Sequence, residues 1–281
     1  MTSLPKQRTL AQPAVVSGFG FFTNADVTAR FLPAEPDTGV LFVRGDLPGR
    51  PEIPATIAYA VERHRRTALE HGGASVELTE HLLAALAGLW IDNCIVELDG
   101  PEPPGGDGSA RHFVDVLLAA GIVEQEQPAA IFGVPSPMSV ALPDAAGSIV
   151  ATPFAAPLAD RFGRGRSNGP AARSRCVLRY ELDYGAGAPV PRQSAEYALT
   201  PELFAAEIAG ARTFILETEI EALKARGYGT RVTSADLLVF GKNGVIDNAL
   251  RADNECARHK LLDCIGDFAL IGGRLSGRFT A

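Results

Sequence analysis

Residues 79–98 read TEHLLAALAGLWIDNCIVEL, and this stretch predicts a helix followed by a half-buried strand. Thr79 belongs to the residue types that cap helices, and Gly88 is placed to end the helix. The apolar positions on one side of this helix are Leu82, Leu83 and Leu86. Residues 93–98 then alternate apolar and polar side chains, as a strand with one buried face does. A helix followed directly by a strand indicates a mixed fold of helices and sheets.

Further along the chain, the polar stretch 124–128 (EQEQP) separates two parts that each carry strands and at least one helix. The second part holds the clearest strand, at 176–184, and a long helix expected from Asn254 to about Ile271. The elements do not alternate regularly, which favours an α+β fold in two layers. We therefore predict two domains, 1–128 and 129–281, joined by a linker near residue 128.

Three shorter signals refine this outline. Ser109 opens a predicted helix that stops at Gly121, and Thr200-Pro201 marks another helix start. The run Lys242-Asn243-Gly244 predicts a tight hairpin, because Asn-Gly readily adopts the positive φ of such turns.

The composition excludes several classes of protein. The 281 residues include 26 basic and 33 acidic side chains, a formal net charge of −7, which argues against a nucleic-acid partner. No apolar run reaches the roughly 20 residues of a membrane helix, so no integral membrane segment is expected. The four cysteines are scattered without metal-ligand spacing, which indicates free thiols and a cytoplasmic protein.

The five histidines can be weighed one by one. His64 and His71 lie in polar turn regions and are expected in solvent, while His112 is expected to pack or cap. His259 and Asp263 are four residues apart, so on a helix their side chains share one face and can hold one metal ion. Two ligands from one helix, a third from His81 and an open fourth position are typical of a hydrolytic zinc site. A salt-bridged or solvated pair is the alternative for this spacing.

Neighbouring residues extend the predicted zinc site. Glu80, beside His81, can act as general base on a metal-bound water. Lys260 can place positive charge near an oxyanion, although a plain surface cation is an equal alternative. Asp267 occupies the next position on the same helix face, four residues after Asp263.

Two glycine-rich segments have simpler interpretations. Residues 101–109 lack the order of a dinucleotide-binding loop and indicate a tight connection from strand to helix. Residues 157–175 are rich in Gly, Arg, Ser and Ala, which favours a solvated loop over a loop that grips phosphate.

Five motifs occur in a fixed order along the chain. They are QRTL at 7–10, TEHLLAAL at 79–86 with IDN at 91–93, DGSA at 107–110, ARTF at 211–214, and RHKLLD at 258–263 with GD at 266–267. In these motifs the chain resembles, nearly end to end, the zinc-dependent UDP-3-O-acyl-N-acetylglucosamine deacetylases of lipid A biosynthesis.

The resemblance implies two two-layer α/β sandwich domains of like topology with the active site between them. It implies a cytoplasmic enzyme that removes acetate from the 2-amino group of a UDP-linked, 3-O-acylated glucosamine, with that substrate as its partner; we further expect a monomer. The implied zinc ligands are His81, His259 and Asp263, with Glu80 as general base. Thr213 and Lys260 would stabilise the oxyanion, and for Thr213 this role follows from the resemblance alone.

Residues 214–228 match the family's insertion that walls a passage for the acyl chain. The apolar side chains that this implies for substrate binding are Phe214, Ile215, Leu216 and Leu223. A simple amphipathic helix ending at Gly227 explains the same pattern.

Three departures from the family pattern bear on function. Phe21-Phe22-Thr23-Asn24 replaces the family's Leu-His-Ser/Thr-Gly, and residues 230–233 replace a Gly-Gly-Ser-Leu-like turn. The family continues past Phe-Thr-Ala into a Gly-His segment whose histidine protonates the leaving amine, whereas this sequence stops at Ala281. The expectation is that Asp267 lacks the histidine it would orient and that activity is impaired. The alternative function is therefore a relative that binds zinc and a sugar nucleotide as a sensor or scaffold, and mixed N/O ligands also suit iron.

Overall fold

The first half of the chain forms one large mixed sheet, a small three-stranded sheet and two helices. The computed structural model describes residues 5–141, 147–154 and 175–281. The strands of this half are β1 Lys6–Leu10, β2 Ala14–Phe19, β3 Asp26–Pro33, β4 Val40–Arg44, β5 Glu52–Pro54, β6 Ala60–Val61, β7 Ala68–His71, β8 Ala74–Glu77, β9 Cys94–Leu98 and β10 Ile122–Pro128. The helices are α1 Glu80–Gly88 and α2 Arg111–Ala120, and a 3-10 turn covers Ile57–Tyr59.

The second half repeats this composition. Its strands are β11 Ile131–Gly133, β12 Met138–Ala141, β13 Ser148–Thr152, β14 Cys176–Leu182, β15 Gln193–Ala198, β16 Phe214–Leu216, β17 Leu238–Gly241, β18 Gly244–Val245 and β19 Arg274–Thr280. Its helices are α3 Pro201–Leu203, continued by a π-helical turn Phe204–Ile208, then α4 Glu217–Lys224 and α5 Glu255–Ala269.

The two large sheets have the same strand order. The order is β2-β3-β9-β4-β5 in the first half and β12-β13-β19-β14-β15 in the second, with β11 added beside β19. In each large sheet the strand that comes last in the chain, β9 or β19, lies in the centre, parallel to one neighbour and antiparallel to the other. Each half also carries a small sheet, β6-β7-β8 or β16-β17-β18. The predicted α+β sandwiches of like topology are therefore confirmed.

Helices α1 and α5 pack against each other, and α5 also packs on β14 and β15 of the second large sheet. Leu82, Leu83 and Leu86 of α1 are buried, and so are Leu261 and Leu262 of α5. Their side chains belong to one apolar cluster that includes residues of both halves. Burial of this much apolar surface is the main force that holds the helix pair in place.

The ends of α1 differ from the prediction. The Thr79 hydroxyl donates to the Thr67 carbonyl oxygen (3.3 Å) and does not cap the helix. Gly88 is the last residue inside α1, where a Cβ atom would lie 2.4 Å from the Phe204 ring. The left-handed residue that ends the helix is Trp90, with φ of 57°. Close packing against Phe204 thus explains Gly88, which the sequence had suggested as a helix stop.

The predicted linker is also different in the structure. Residues 124–128 belong to β10, which pairs antiparallel with β1, and the Gln125 side chain donates to the Ala34 carbonyl oxygen (2.8 Å). Most side chains of β10 are exposed, so a polar sequence is compatible with a strand here. The domain boundary near residue 128 stays a prediction.

Other local predictions are confirmed. Residues 241–244 form the expected hairpin, with Gly244 at φ of 112°. The Thr200 hydroxyl accepts a hydrogen bond from the Leu203 amide (3.2 Å) and so caps α3. All four cysteines are free thiols. Of the arginine-rich segment 157–175, only Arg175 lies within the described residues. Among the helices of the described ranges, none has the length and apolar character needed to cross a membrane.

Candidate metal centre and active site

The first turn of α1 places two polar side chains in the interior. Glu80 and His81 are both 8% exposed, although acidic side chains are rarely buried without a partner. The Thr67 amide donates to the Glu80 carboxylate (3.1 Å). Burial raises the pKa of Glu80 to about 7, which the positive charge of His81 only partly offsets. Glu80 is thus set up to exchange a proton near neutral pH.

Helix α5 presents His259 and Asp263 to the same place, one turn apart. His259 is 1% exposed, and its Nδ1 lies 3.1 Å from the Ala211 carbonyl oxygen. Because a carbonyl oxygen only accepts, Nδ1 carries the proton and Nε2 keeps its lone pair. Burial lowers the pKa of His259 to about 4, so the ring is neutral, as a metal ligand must be.

Three donor atoms converge between the helices. Asp263 Oδ1 lies 3.4 Å from His81 Nε2 and 3.4 Å from His259 Nε2, and the three ligand atoms are all within 4.8 Å of one another. Asp263 Oδ1 is buried and has no hydrogen-bond partner among the described residues. A buried polar atom without a partner is costly, and a missing ion is one of its recognised causes. Two imidazole nitrogens and one carboxylate oxygen fit a divalent ion such as Zn²⁺ with a free fourth position.

The charges around this site favour an ionised Asp263. Burial alone would raise the pKa of Asp263, but the neighbouring His259 ring, the Lys260 ammonium and His81 hold it below its usual range. The Lys260 ammonium donates to Asp263 Oδ2 (3.0 Å), and the Asp263 charge raises the pKa of Lys260. Burial disfavours the charged form of His81, yet the Asp263 carboxylate raises its pKa. Lys260 therefore stays cationic beside Asp263, with its side chain 35% exposed.

Thr213 reaches the same space from the start of β16. Its amide donates to the Gly108 carbonyl oxygen (2.7 Å), and its own carbonyl accepts from the Leu238 amide (3.0 Å). These two bonds connect it to the first half and to β17. No periodicity or spacing in the sequence places Thr213 in the site. Its assignment rests on the family motif ARTF at 211–214.

A cavity of about 910 Å³, here called the main cavity, surrounds these residues. Glu80, His81, Thr213, His259, Lys260, Asp263 and Asp267 all line it. So do the four side chains expected to bind substrate, Phe214, Ile215, Leu216 and Leu223. Residues 214–216 are a strand and only 217–224 a helix, so the amphipathic-helix alternative explains only part of the segment. The main cavity thus joins a polar end to an apolar wall.

Asp267 has a hydrogen-bond partner that the sequence did not indicate. The Thr67 hydroxyl donates to the Asp267 carboxylate. Burial raises the pKa of Asp267. Thr67 therefore links the carboxylates of Asp267 and Glu80, because its amide also donates to Glu80.

Several further aromatic and arginine side chains line the main cavity. The Phe22 and Tyr228 rings lie 4.9 Å apart, and the Arg66 guanidinium lies 4.4 Å from the centre of the Phe22 ring. Arg65, beside Arg66, forms an ion pair with Glu219 of α4. These contacts join parts of the chain far apart in sequence, so no local pattern could reveal them.

The remaining histidines lie elsewhere. His64 and His71 are exposed, as predicted. His112 packs on Phe113 (3.9 Å between ring centres), and its Nε2 lies 3.1 Å from the Pro104 carbonyl oxygen. The predicted packing role of His112 is confirmed.

Comparison with known proteins agrees with this geometry. The sequence model of the family UDP-3-O-acyl N-acetylglycosamine deacetylase matches residues 7–281. The UDP-3-O-acyl-N-acetylglucosamine deacetylases of Myxococcus xanthus and Syntrophotalea carbinolica are 37% and 34% identical over 98% of this chain, covering 81% and 82% of those proteins. The bifunctional enzyme LpxC/FabZ of Chlorobaculum tepidum is 36% identical over 98% of this chain, which spans only 60% of that longer protein. This chain belongs to the UDP-3-O-acyl-N-acetylglucosamine deacetylase family.

Proposed function

We propose that this chain is a zinc-dependent hydrolase that removes the 2-acetyl group of UDP-3-O-acyl-N-acetylglucosamine in lipid A biosynthesis. Family membership supports the deacetylase activity. The observation that carries the zinc dependence is the partnerless Asp263 Oδ1, equidistant from two imidazole nitrogens.

The metal ligands in this proposal are His81, His259 and Asp263. A zinc ion supplies a Lewis acid that polarises a carbonyl oxygen and lowers the pKa of water. His259 is held ready by its hydrogen bond to the Ala211 carbonyl oxygen, which orients Nε2 toward the site. Iron suits the same donors, so the identity of the metal is part of what the experiment decides.

Glu80 acts as the general base. A base works best when its pKa lies near the operating pH, and burial brings the pKa of Glu80 to about 7. The Thr67 amide holds the carboxylate in place, so it can take a proton from water that attacks the acetamide carbonyl.

Lys260 and Thr213 stabilise the negative oxygen that forms during attack. Lys260 supplies a fixed positive charge in a partly buried setting, where electrostatic interactions are stronger than in water. Thr213 is held by two backbone bonds and can offer its hydroxyl at the polar end of the main cavity. Asp267 accepts a hydrogen bond from the Thr67 hydroxyl, and the Thr67 amide donates to Glu80. Asp267 thereby helps to position Glu80.

The apolar wall formed by Phe214, Ile215, Leu216 and Leu223 takes the acyl chain of the substrate. These side chains line the main cavity beside the polar end, so a sugar with an attached acyl chain can contact both.

The organisation of the chain is part of the same proposal. The repeated strand order supports two domains, 1–128 and 129–281. The four free thiols support a cytoplasmic location. That the protein acts as a monomer stays a prediction.

The test combines metal analysis with an acetate-release assay on the purified protein. We expect about one zinc ion per chain, activity that a chelator removes, and recovery with Zn²⁺ in preference to Fe²⁺. A substrate without its 3-O-acyl chain should react more slowly, because it cannot use the apolar wall. Bound zinc without acetate release would support the sensor or scaffold alternative, and activity that survives complete metal removal would contradict the proposal.

A further inference from the structure

A second cavity of about 390 Å³ lies beside the C-terminal ends of α1 and α5. Its apolar side chains come from both halves of the chain: Leu83, Leu86, Leu178, Ile265 and Phe268. Among the described residues, it shares no lining residue with the main cavity. Its size and apolar lining at a junction between two layers are those of small-molecule sites.

The charged groups of this second cavity are already paired. Arg274 forms an ion pair with Asp92 (2.6 Å), and the Gln7 side chain donates to Asp37 Oδ1 (2.6 Å). Arg274, Asp92 and Asp37 are the charged side chains among its described lining residues. With one cation and two anions, each already bonded, the lining offers no site for a charged ligand and disfavours an anionic one.

Trp90 adds an independent observation. It adopts φ of 57° as the left-handed residue that ends α1, which turns the chain so that the Trp90 side chain faces this cavity. The Ile91 amide donates to the Leu86 carbonyl oxygen (2.9 Å), which holds the chain in this turn. The Trp90 ring lies 5.1 Å from the Arg274 guanidinium and lines the second cavity.

We propose that the second cavity binds the aliphatic chain of an uncharged amphiphile, such as a long-chain alcohol or ester, with the Trp90 ring against the bound chain. The apolar lining contacts the chain, and the head group has to be uncharged because the charged side chains of the lining are already paired. This site is separate from the proposed active site, and its test needs no deacetylase activity.

The test uses Trp90 itself, because it is the single tryptophan of the protein. The probe is a medium-chain alcohol labelled with bromine on the chain, since bromine quenches tryptophan fluorescence at short range. Ala87→Leu and Ala269→Leu each fill the second cavity from a different helix and leave Trp90 in place. Ala119→Leu is the matched control, because Ala119 is exposed on α2 away from this cavity.

We expect saturable quenching in the wild type and in Ala119→Leu. A variant that fills the cavity and keeps the wild-type unfolding temperature should need at least about tenfold more alcohol for the same quenching, because the space is taken. The corresponding brominated carboxylate should quench only at higher concentration. Absence of saturable quenching in the wild type, quenching in the filled variants equal to that of the wild type, or tighter binding of the carboxylate would each overturn the proposal.

Discussion

A Cβ atom built on Gly266 would lie 2.0 Å from the backbone carbonyl oxygen of Glu80. Helices α1 and α5 therefore touch backbone to backbone at the point where they carry the candidate metal ligands. His81 follows Glu80 directly, and Asp263 precedes Gly266 by three residues. The distance of 3.4 Å from Asp263 Oδ1 to His81 Nε2 depends on this contact.

Gly266→Ala should separate the two helices. The added methyl group meets backbone and has no flexible side chain to displace, so we expect a loss of about 1–3 kcal/mol in the free energy of unfolding. We also expect weaker metal binding than in the wild type. The control is Gly133→Ala, where a Cβ atom has no neighbour within 4 Å. Equal unfolding temperatures and metal contents in the two variants would show that the contact is unimportant.

The helix contact also shows what the sequence can predict. The spacing of His259 and Asp263 indicates a shared helix face because it depends only on helix geometry. The alternation at 176–184 likewise predicts a strand, and β14 covers the first seven of these residues, Cys176–Leu182. Both signals are local, so each needs no knowledge of the partner element.

Features that depend on distant contacts could not be predicted in this way. Gly88 looked like a helix stop, but its role is to admit the ring of Phe204, 116 positions later. The polar stretch 124–128 looked like a linker because its partner, β1, lies at the other end of the half. Thr213 carries no signal of its own, since its position is set by Gly108 and Leu238.

Removal of one metal ligand tests the candidate centre directly. His259→Ala removes one of three donors, so we expect metal affinity to fall by more than about 100-fold, the upper range for loss of an outer-shell partner. Metal analysis after dialysis measures this. His71→Ala is the control, because His71 is exposed and does not line the main cavity. Stoichiometric metal in purified His259→Ala would contradict the ligand assignment.

Substitution of Glu80 should lower turnover and leave metal binding intact. In Glu80→Gln the amide keeps the shape of the side chain but cannot take a proton, so kcat should fall about 10²- to 10⁴-fold. Metal content should match the wild type. Glu70→Gln, at an exposed position in β7, serves as the control. A variant with wild-type kcat would exclude Glu80 as the base.

A substitution at Gly108 should lower turnover by displacing Thr213. It has φ of 77°, and a Cβ atom there would lie 2.7 Å from the Asp236 carbonyl oxygen and 3.0 Å from Thr213 Cγ2. Gly108→Ala should displace Thr213 and lower kcat about tenfold or more, with a smaller change in KM, because the affected interaction forms in the transition state. Gly73→Ala imposes similar backbone strain, at φ of 80°, with no neighbour within 4 Å. Equal kinetic effects of the two substitutions would show that strain alone is responsible.

We expect the buried ion pair of Arg212 to be the main polar interaction that stabilises the start of α5. It pairs with Glu255 at the start of α5 (2.8 Å), with side chains 5% and 1% exposed, and also donates to the Ala249 carbonyl oxygen (2.7 Å). Arg212→Met leaves the Glu255 carboxylate buried without its charge partner, so we expect a loss of about 3–5 kcal/mol in the free energy of unfolding. Denaturant titration measures this loss. Arg179→Met, at an exposed pair with Glu181, should leave the midpoint close to that of the wild type. Similar small effects of both substitutions would mean that the buried ion pair adds no more to the free energy of unfolding than a surface pair does. In that case the neighbouring Thr213 would be held in place by its backbone hydrogen bonds alone.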